Sequence, residues 1–457
     1  MPTESSPRTH VFLVSTLYGT ATLAAALDAG CFPDAERRLL LVANTSAVPE
    51  AAPPLDEAPG FERLHTRFDG VLGWNAAVAP CHPGGWQPRP DDVPLWERHL
   101  RLLWGLGDAR VTLVVESLQV PPALALAQVF ADADLEVYAD GLMSYGPTRV
   151  RLDPLIGVRV RRLLYPDLVP GLAPLLLAEF GTVRETVPAE AMTKVLAELA
   201  DAAPLTGVPE GSALLLGQYL SALGILTAEE EEGLHVALVR GAAARGHRSL
   251  VFKPHPSAPA AWTRTLSAEA EALGAELTVL DAPVLAEAVF QQARPALVAG
   301  CFSTALLTAR TLYGLPVART GTRLVLERLS PYQNSNRVPV VLVDALVPDL
   351  DEDAPDEVPP GGEELCGLLA AVGFTMQPGL LPEWRRAAER HLAGHLTPGT
   401  RHRFSRRRLT VLGLPGGVLP PPLARLPRHP ALRQAARYVR ALKRRLARRL
   451  TPVRTEP

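Results

Sequence analysis

Short apolar runs recur along this chain, each closed by glycine, proline or small hydroxyl residues, and most are followed by a stretch with helical spacing. Val11–Val14 ends in Ser15-Thr16-Leu17-Tyr18-Gly19-Thr20 and leads into a helical run through Leu23–Leu27. Leu39–Val42 ends in Asn44-Thr45-Ser46. Val111–Val115 ends in Glu116-Ser117, with a helix over Ala123–Phe130, and Leu135–Tyr138 ends in Asp140-Gly141. Apolar strands alternating with helices predict a parallel sheet.

The second half repeats the pattern. Ala213–Leu216 ends in Gly217-Gln218-Tyr219, and a helix starting in the Glu229–Glu232 run extends to about Ala244. Leu250–Phe252 precedes Lys253-Pro254-His255-Pro256. Ala296–Ala299 precedes Gly300-Cys301-Phe302-Ser303-Thr304 and a helix over Ala305–Tyr313. The expectation is an α/β chain with two Rossmann-like domains facing a cleft, residues 1–205 and 206–395, with a tail over 396–457. A helix at Glu383–Leu392 closes the second domain. Neither half carries Gly-x-Gly-x-x-Gly or a P-loop, which weighs against dinucleotide and P-loop chemistry.

At 457 residues, 47% of them hydrophobic, the chain can bury more than one core. Cys31, Cys81, Cys301 and Cys366 are far apart and show no metal or disulfide spacing, as in a reducing compartment. No run of about 20 apolar residues predicts a membrane span. Asp349–Asp353 lies in a Pro-rich stretch and reads as an exposed acidic loop rather than a metal site.

Charge is unevenly placed. The net charge is −2, yet residues 401–457 hold 16 Lys and Arg against one acid. Ala431–Leu450 reads as a helix with Leu432, Ala435, Ala436, Val439, Leu442, Leu446 and Leu450 on one face and arginines over the rest. A basic amphipathic helix is suited to an anionic membrane surface. Nucleic acid is the rival partner, but Tyr438 is the one aromatic there for stacking, so no nucleic acid is expected. A solvated helix with no partner is the plainer reading.

Three segments offer chemistry. His255 sits between two prolines at a strand's carboxyl end, beside Lys253, where a restricted imidazole can meet an anionic group. Asp140-Gly141 places a carboxylate at a strand end, a general-base geometry, although Asp-Gly is also an ordinary turn. Ser303-Thr304 lies between a strand and a helix. It can simply cap that helix, or it can hold phosphate with its hydroxyls and the helix N-terminus.

Together, Asp140-Gly141, His255-Pro256 and Ser303-Thr304, in that order, resemble the bacterial sialyltransferases and polysialyltransferases that use CMP-sialic acid. The resemblance covers roughly residues 10–340. It implies a GT-B-type fold and an inverting, metal-independent glycosyltransferase acting in surface polysaccharide synthesis. Asp140 would be the base and His255 the acid. Lys253, Pro254, Ser303, Thr304, Gly300 and Gln218 would line the donor site, with Gly141 and Asn75 on the acceptor side. No cofactor is expected beyond the CMP-sugar donor, and the acceptor would be a glycan or glycolipid. The enzyme would be cytoplasmic, held to the inner membrane face through residues 401–457. This chain departs from the family's usual first motif, which has two acidic residues before the glycine, because Ala139 precedes Asp140. Other readings remain open: a UDP-sugar transferase or epimerase of the same architecture, or a non-catalytic membrane- or nucleic-acid-binding protein.

Overall fold

The computed structural model describes residues 7–254, 260–351 and 360–418. His255, Pro256 and Ser257 lie outside the described residues, as does the basic helix expected at Ala431–Leu450. The chain divides into two compact units, residues 1–369 and 370–457.

The first unit holds two sheets. The first contains β1 (Arg8–Val14), β2 (Arg37–Val42), β3 (Gly70–Gly73), β4 (Arg110–Val115), β5 (Asp134–Tyr138), β6 (Val160–Pro166) and β7 (Val183–Val187). The second contains β8 (Ala213–Leu216), β9 (Ser249–Lys253), β10 (Glu276–Val279), β11 (Leu297–Gly300) and β12 (Val317–Arg319). Their orders are β3-β2-β1-β4-β5-β6-β7 and β10-β9-β8-β11-β12. Every pairing is parallel. These are the two Rossmann-like sheets that the alternating pattern predicts.

The strands are apolar because both sheet faces are covered. In β1, Val11 and Leu13 enter one core cluster while Phe12 and Val14 enter the other. Both sheets reverse direction in their strand order, between β1 and β4 and between β8 and β11. At such a reversal the connecting helices go to opposite faces, which opens a crevice at the strands' carboxyl ends. Ser15-Thr16 and Glu116 follow the first pair, and Gly217-Gln218 and Cys301 the second.

The helix Leu17–Asp28 brings the halves together. Its run from Gly19 to Ala26 is buried, and small residues there let the backbone pack closely. Leu285, Leu312 and Tyr313 from the second half pack on the same apolar cluster as this helix. The Tyr18 hydroxyl lies 3.4 Å from Thr308 Oγ1, and the Thr311 hydroxyl donates to the Leu168 carbonyl at 2.9 Å.

Two expectations need correction. Asp349 is not a freely solvated acid: Arg319 Nη1 donates to it at 2.6 Å, while Arg319 Nη2 is 3.5 Å from buried Asp344. The cause is packing, since β12 bridges to the segment at Asp349 and draws Arg319 inside. The stretch from Arg401 is also not uniformly a surface tail. Within the second unit, Phe404, Leu409, Leu412 and Leu414 are buried, and Arg408 Nε donates to the Thr375 carbonyl at 2.7 Å. The helix expected at Glu383–Leu392 runs over Arg385–His395, after a 3-10 turn at Pro382–Trp384. Among the described residues no helix is long and apolar enough to cross a membrane.

Candidate active site

β5 carries Asp140 to the carboxyl edge of the first sheet. Thr16, the N-cap of the helix Leu17–Asp28, accepts from the Gly19 N–H at 2.9 Å and donates its own proton to Asp140 Oδ2 at 3.3 Å. The residue keeps some exposure, but protein atoms crowd its carboxyl, and this loss of solvent raises its proton affinity above the ordinary carboxylate range. The Thr16 hydrogen bond pulls the other way. A partly desolvated carboxylate at a strand end is a competent proton acceptor.

Gly141 lies against the opposite half. A Cβ added there would sit 2.8 Å from Thr304 Oγ1, and the Leu142 N–H points at the same oxygen at 3.4 Å. Gly141 has φ −158°, an extended value open to any residue, so the glycine supplies room rather than an unusual dihedral. Asp140-Gly141 and Ser303-Thr304 therefore meet across the two sheets.

Ser303 is the N-cap of the helix Thr304–Tyr313 and accepts from the Ala305 N–H at 3.3 Å. Capping and anion binding use the same helix end, so this geometry is common to both readings of the motif. Gly300 ends β11 against Leu216, where a Cβ would approach the Leu216 Cβ to 3.3 Å.

Gln218 follows β8 in a tightly held loop. Its backbone N–H donates to His235 Nε2 at 3.1 Å, so that nitrogen is unprotonated and the imidazole is neutral. Burial lowers the His235 pKa to about 4, which agrees. Buried Glu231 accepts from the Leu220 and Ser221 N–H groups at 2.7 and 2.8 Å and from the Ser221 hydroxyl. The helix Ala228–Ala244 thus shapes the loop that carries Gln218.

Lys253 ends β9 and Pro254 follows it, both half-buried. Burial lowers the lysine's proton affinity, while the charges of Glu287 and Asp281 partly restore it. Glu287 is 4% exposed, and burial pushes its pKa up to about 7 against the pull of Lys253.

Asn75 has a different setting. Its side chain accepts from the Asn44 N–H and donates to the Asn44 carbonyl, both at 3.0 Å, clamping the segment after β2. Both ends of the amide are used within the fold. Among the described residues, no three His, Cys, Asp or Glu side chains are grouped as a metal site requires.

Sequence reasoning did not single out Ser15, Thr16, Glu116, Tyr138 or Glu287. Ser15, Thr16 and Glu116 do have a signal, since each directly follows an apolar strand, but strand adjacency decides which of them meet. Buried Tyr138 donates to the Leu13 carbonyl at 3.1 Å and lies beneath the Asp140 turn.

No curated protein matches the sequence. Solved structures with a related backbone include a sialyltransferase GT-B domain from Photobacterium damselae, at 12% identity and a TM-score of 0.38, covering 74% of this chain and 96% of that one. Another is a UDP-GlcNAc 2-epimerase from Methanocaldococcus jannaschii, at 11% identity and a TM-score of 0.41, covering 68% and 83%. Likenesses this distant add nothing to the fold assignment, which rests on the two sheets themselves. Sequence is more decisive: the family described as Alpha-2,8-polysialyltransferase matches residues 10–322, well over half of the chain. That span runs through both sheets and includes Asp140, Gly141, Ser303 and Thr304, so the chain belongs to the alpha-2,8-polysialyltransferase family and is a glycosyltransferase.

Proposed function

We propose that this enzyme transfers sialic acid, or a related ulosonic acid, from its CMP donor to a glycan hydroxyl, inverting the anomeric centre. The observation that carries the reading is the meeting of Asp140-Gly141 with Thr304 across the two sheets. A base on one side and a helix N-terminus on the other bracket a position where acceptor and donor phosphate can meet.

In the reaction the acceptor oxygen forms a bond to the anomeric carbon while the bond from that carbon to the CMP phosphate oxygen breaks. Asp140 takes the acceptor's proton. His255, whose role rests on its motif alone, gives a proton to the departing phosphate. Ser303, Thr304 and the helix N-terminus stabilise charge on that phosphate, work that a metal does in other transferases. Gly300, Gln218, Lys253 and Pro254 line the donor side. Gly141 leaves room on the acceptor side, and Asn75 supports that side through Asn44.

The product fits surface polysaccharide synthesis at the inner face of the cell membrane, with residues 401–457 supplying attraction to anionic lipid. The test is donor choice. CMP should protect the protein against heat and UDP should not, and CMP-N-acetylneuraminic acid should extend a labelled sialyl oligomer by whole sialyl masses in the presence of EDTA. Protection by UDP alone, or transfer that EDTA abolishes, would overturn the reading.

A further inference from the structure

We propose that Glu116 is a positioning residue for this site, a second carboxylate that holds the turn facing Asp140 and assists Asp140 as proton acceptor. The inference rests on Asp140 being the base. β1 lies between β2 and β4, and β4 lies between β1 and β5, so three adjacent strand ends converge. Glu116 follows β4, and its Oε2 accepts from the Ser15 hydroxyl at 2.9 Å. The next residue, Thr16, donates to Asp140 at 3.3 Å. Two consecutive hydroxyls at the end of β1 thus hold one carboxylate each.

The surroundings suit a pair of acids. Asp140 lies at the N-terminal turn of the helix Leu17–Asp28, whose dipole favours negative charge, and Glu116 is held by Ser15, just before the N-cap Thr16. Gly19 leaves space there: a Cβ would stand 3.1 Å from the Tyr138 hydroxyl and 3.5 Å from Asp140 Oδ2. Among the described residues, the groups acting on Glu116 are Ser15 from the β1 end and Asp140 and Tyr138 from the β5 end, and none of these is a cation. Tyr18, on the helix, feels the Asp140 charge while its hydroxyl lies against Thr308. Glu136, by contrast, is paired with Arg162 at 2.8 Å. Glu116 has hydroxyls and a second acid.

Like charges disfavour each other's ionisation, so an ionised Glu116 makes Asp140 a better proton acceptor. Burial pushes the Glu116 pKa up to about 7; the Ser15 hydrogen bond opposes this and the Asp140 charge adds to it. Its charge therefore changes near neutral pH. With Glu116 protonated, Asp140 supports slow transfer; ionisation of Glu116 beside it then raises the rate.

The experiment is the pH dependence of kcat/KM, measured with CMP-N-acetylneuraminic acid and a labelled sialyl oligomer, which reports ionisations of the free enzyme. The parent should show a rise near pH 7 above the limb set by Asp140. Glu116→Gln should lose that rise, match the parent near pH 5.5 and fall about 3–10-fold below it at pH 8, with the acceptor KM unchanged. Ser15→Ala removes the hydrogen bond that favours the ionised form, so it should keep the rise but move it to higher pH. A Glu116→Gln profile that superimposes on the parent, or is lowered equally at every pH, overturns the inference. So does an unmoved rise in Ser15→Ala, which decides the matter if Glu116→Gln does not fold. Near-normal turnover by Asp140→Asn would instead remove the base assignment beneath it.

Discussion

Gly141 and Thr304, 163 positions apart in sequence, stand so close that a single methyl on the glycine would fall 2.8 Å from the threonine hydroxyl oxygen. One follows β5 of the first sheet and the other opens the helix after β11 of the second. Their closeness sets how near the strand end carrying Asp140 comes to the N-terminus of the helix Thr304–Tyr313.

Gly141→Ala should therefore cost stability and activity together. Overpacking at a site with little freedom typically costs about 1–3 kcal/mol. Transfer should fall more than 10-fold, because a displaced strand end misplaces Asp140. Replacing Thr304 by alanine in the same protein removes the clashing oxygen and should recover the melting temperature without full activity. A double variant no more stable than Gly141→Ala alone would show that the two residues do not press on each other.

Loss of the proposed base can be separated from loss of binding. Asp140→Asn keeps the size and most hydrogen bonds of the carboxylate but cannot take the acceptor's proton. We expect kcat to drop about 10²-fold or more, as for removal of a general base, with CMP affinity little changed by calorimetry. A folded asparagine variant with near-parental kcat would place the base elsewhere.

Glu287 predicts a pH dependence of stability. Its pKa rises from an ordinary 4.5 to about 7 on folding, so the folded state holds the proton more tightly than the unfolded chain. That contribution is present in full below pH 4.5 and is lost as pH rises through about 7. Glu287→Gln cannot ionise and escapes the loss. Relative to the parent, it should gain about 2–3 kcal/mol between pH 5 and pH 8. Melting temperatures of both proteins at the two pH values check this, and a gap that stays constant would show Glu287 already charged at pH 5.

Truncation should have two outcomes according to where the cut falls. Ending the chain after Val418 removes 11 of the 16 basic residues beyond Thr400 and leaves the described part of the second unit whole. Activity on a soluble acceptor should persist while binding to anionic vesicles is lost. Ending it after Thr400 also removes Phe404, Leu409, Leu412 and Leu414, which are buried. Each is worth about 1.5–3 kcal/mol, so that protein should melt at lower temperature or precipitate. Equal melting temperatures for the two forms would make 401–418 dispensable.

The strands legible in the sequence are those buried on both faces. β1, β2, β4, β5, β8, β9 and β11 read as apolar runs because helices cover both sides of the sheet around them. The missed strands carry polar residues or lie at sheet edges. β3 is short and ends in glycines, β6 carries Arg161 and Arg162, and β7 reads Val-Arg-Glu-Thr-Val with mostly exposed positions. An edge strand pairs on one side only, so its composition reflects solvent as much as core.

The same division runs through the candidate site. The family, the two Rossmann-like sheets and the strand-end location of Asp140-Gly141 and Ser303-Thr304 follow from local features: short apolar runs, helical spacing and motifs whose order survives in one dimension. That Thr304 presses on Gly141, that Ser15 and Thr16 divide two carboxylates between them, and that Glu287 is sealed beside Lys253 were decided by tertiary structure alone. Strand order is the physical reason. Placing β4 beside β1 brings Glu116 to Ser15 across 101 residues of sequence. A proton affinity depends on which charges and how much water surround a carboxyl, and those neighbours exist only once the sheets have formed.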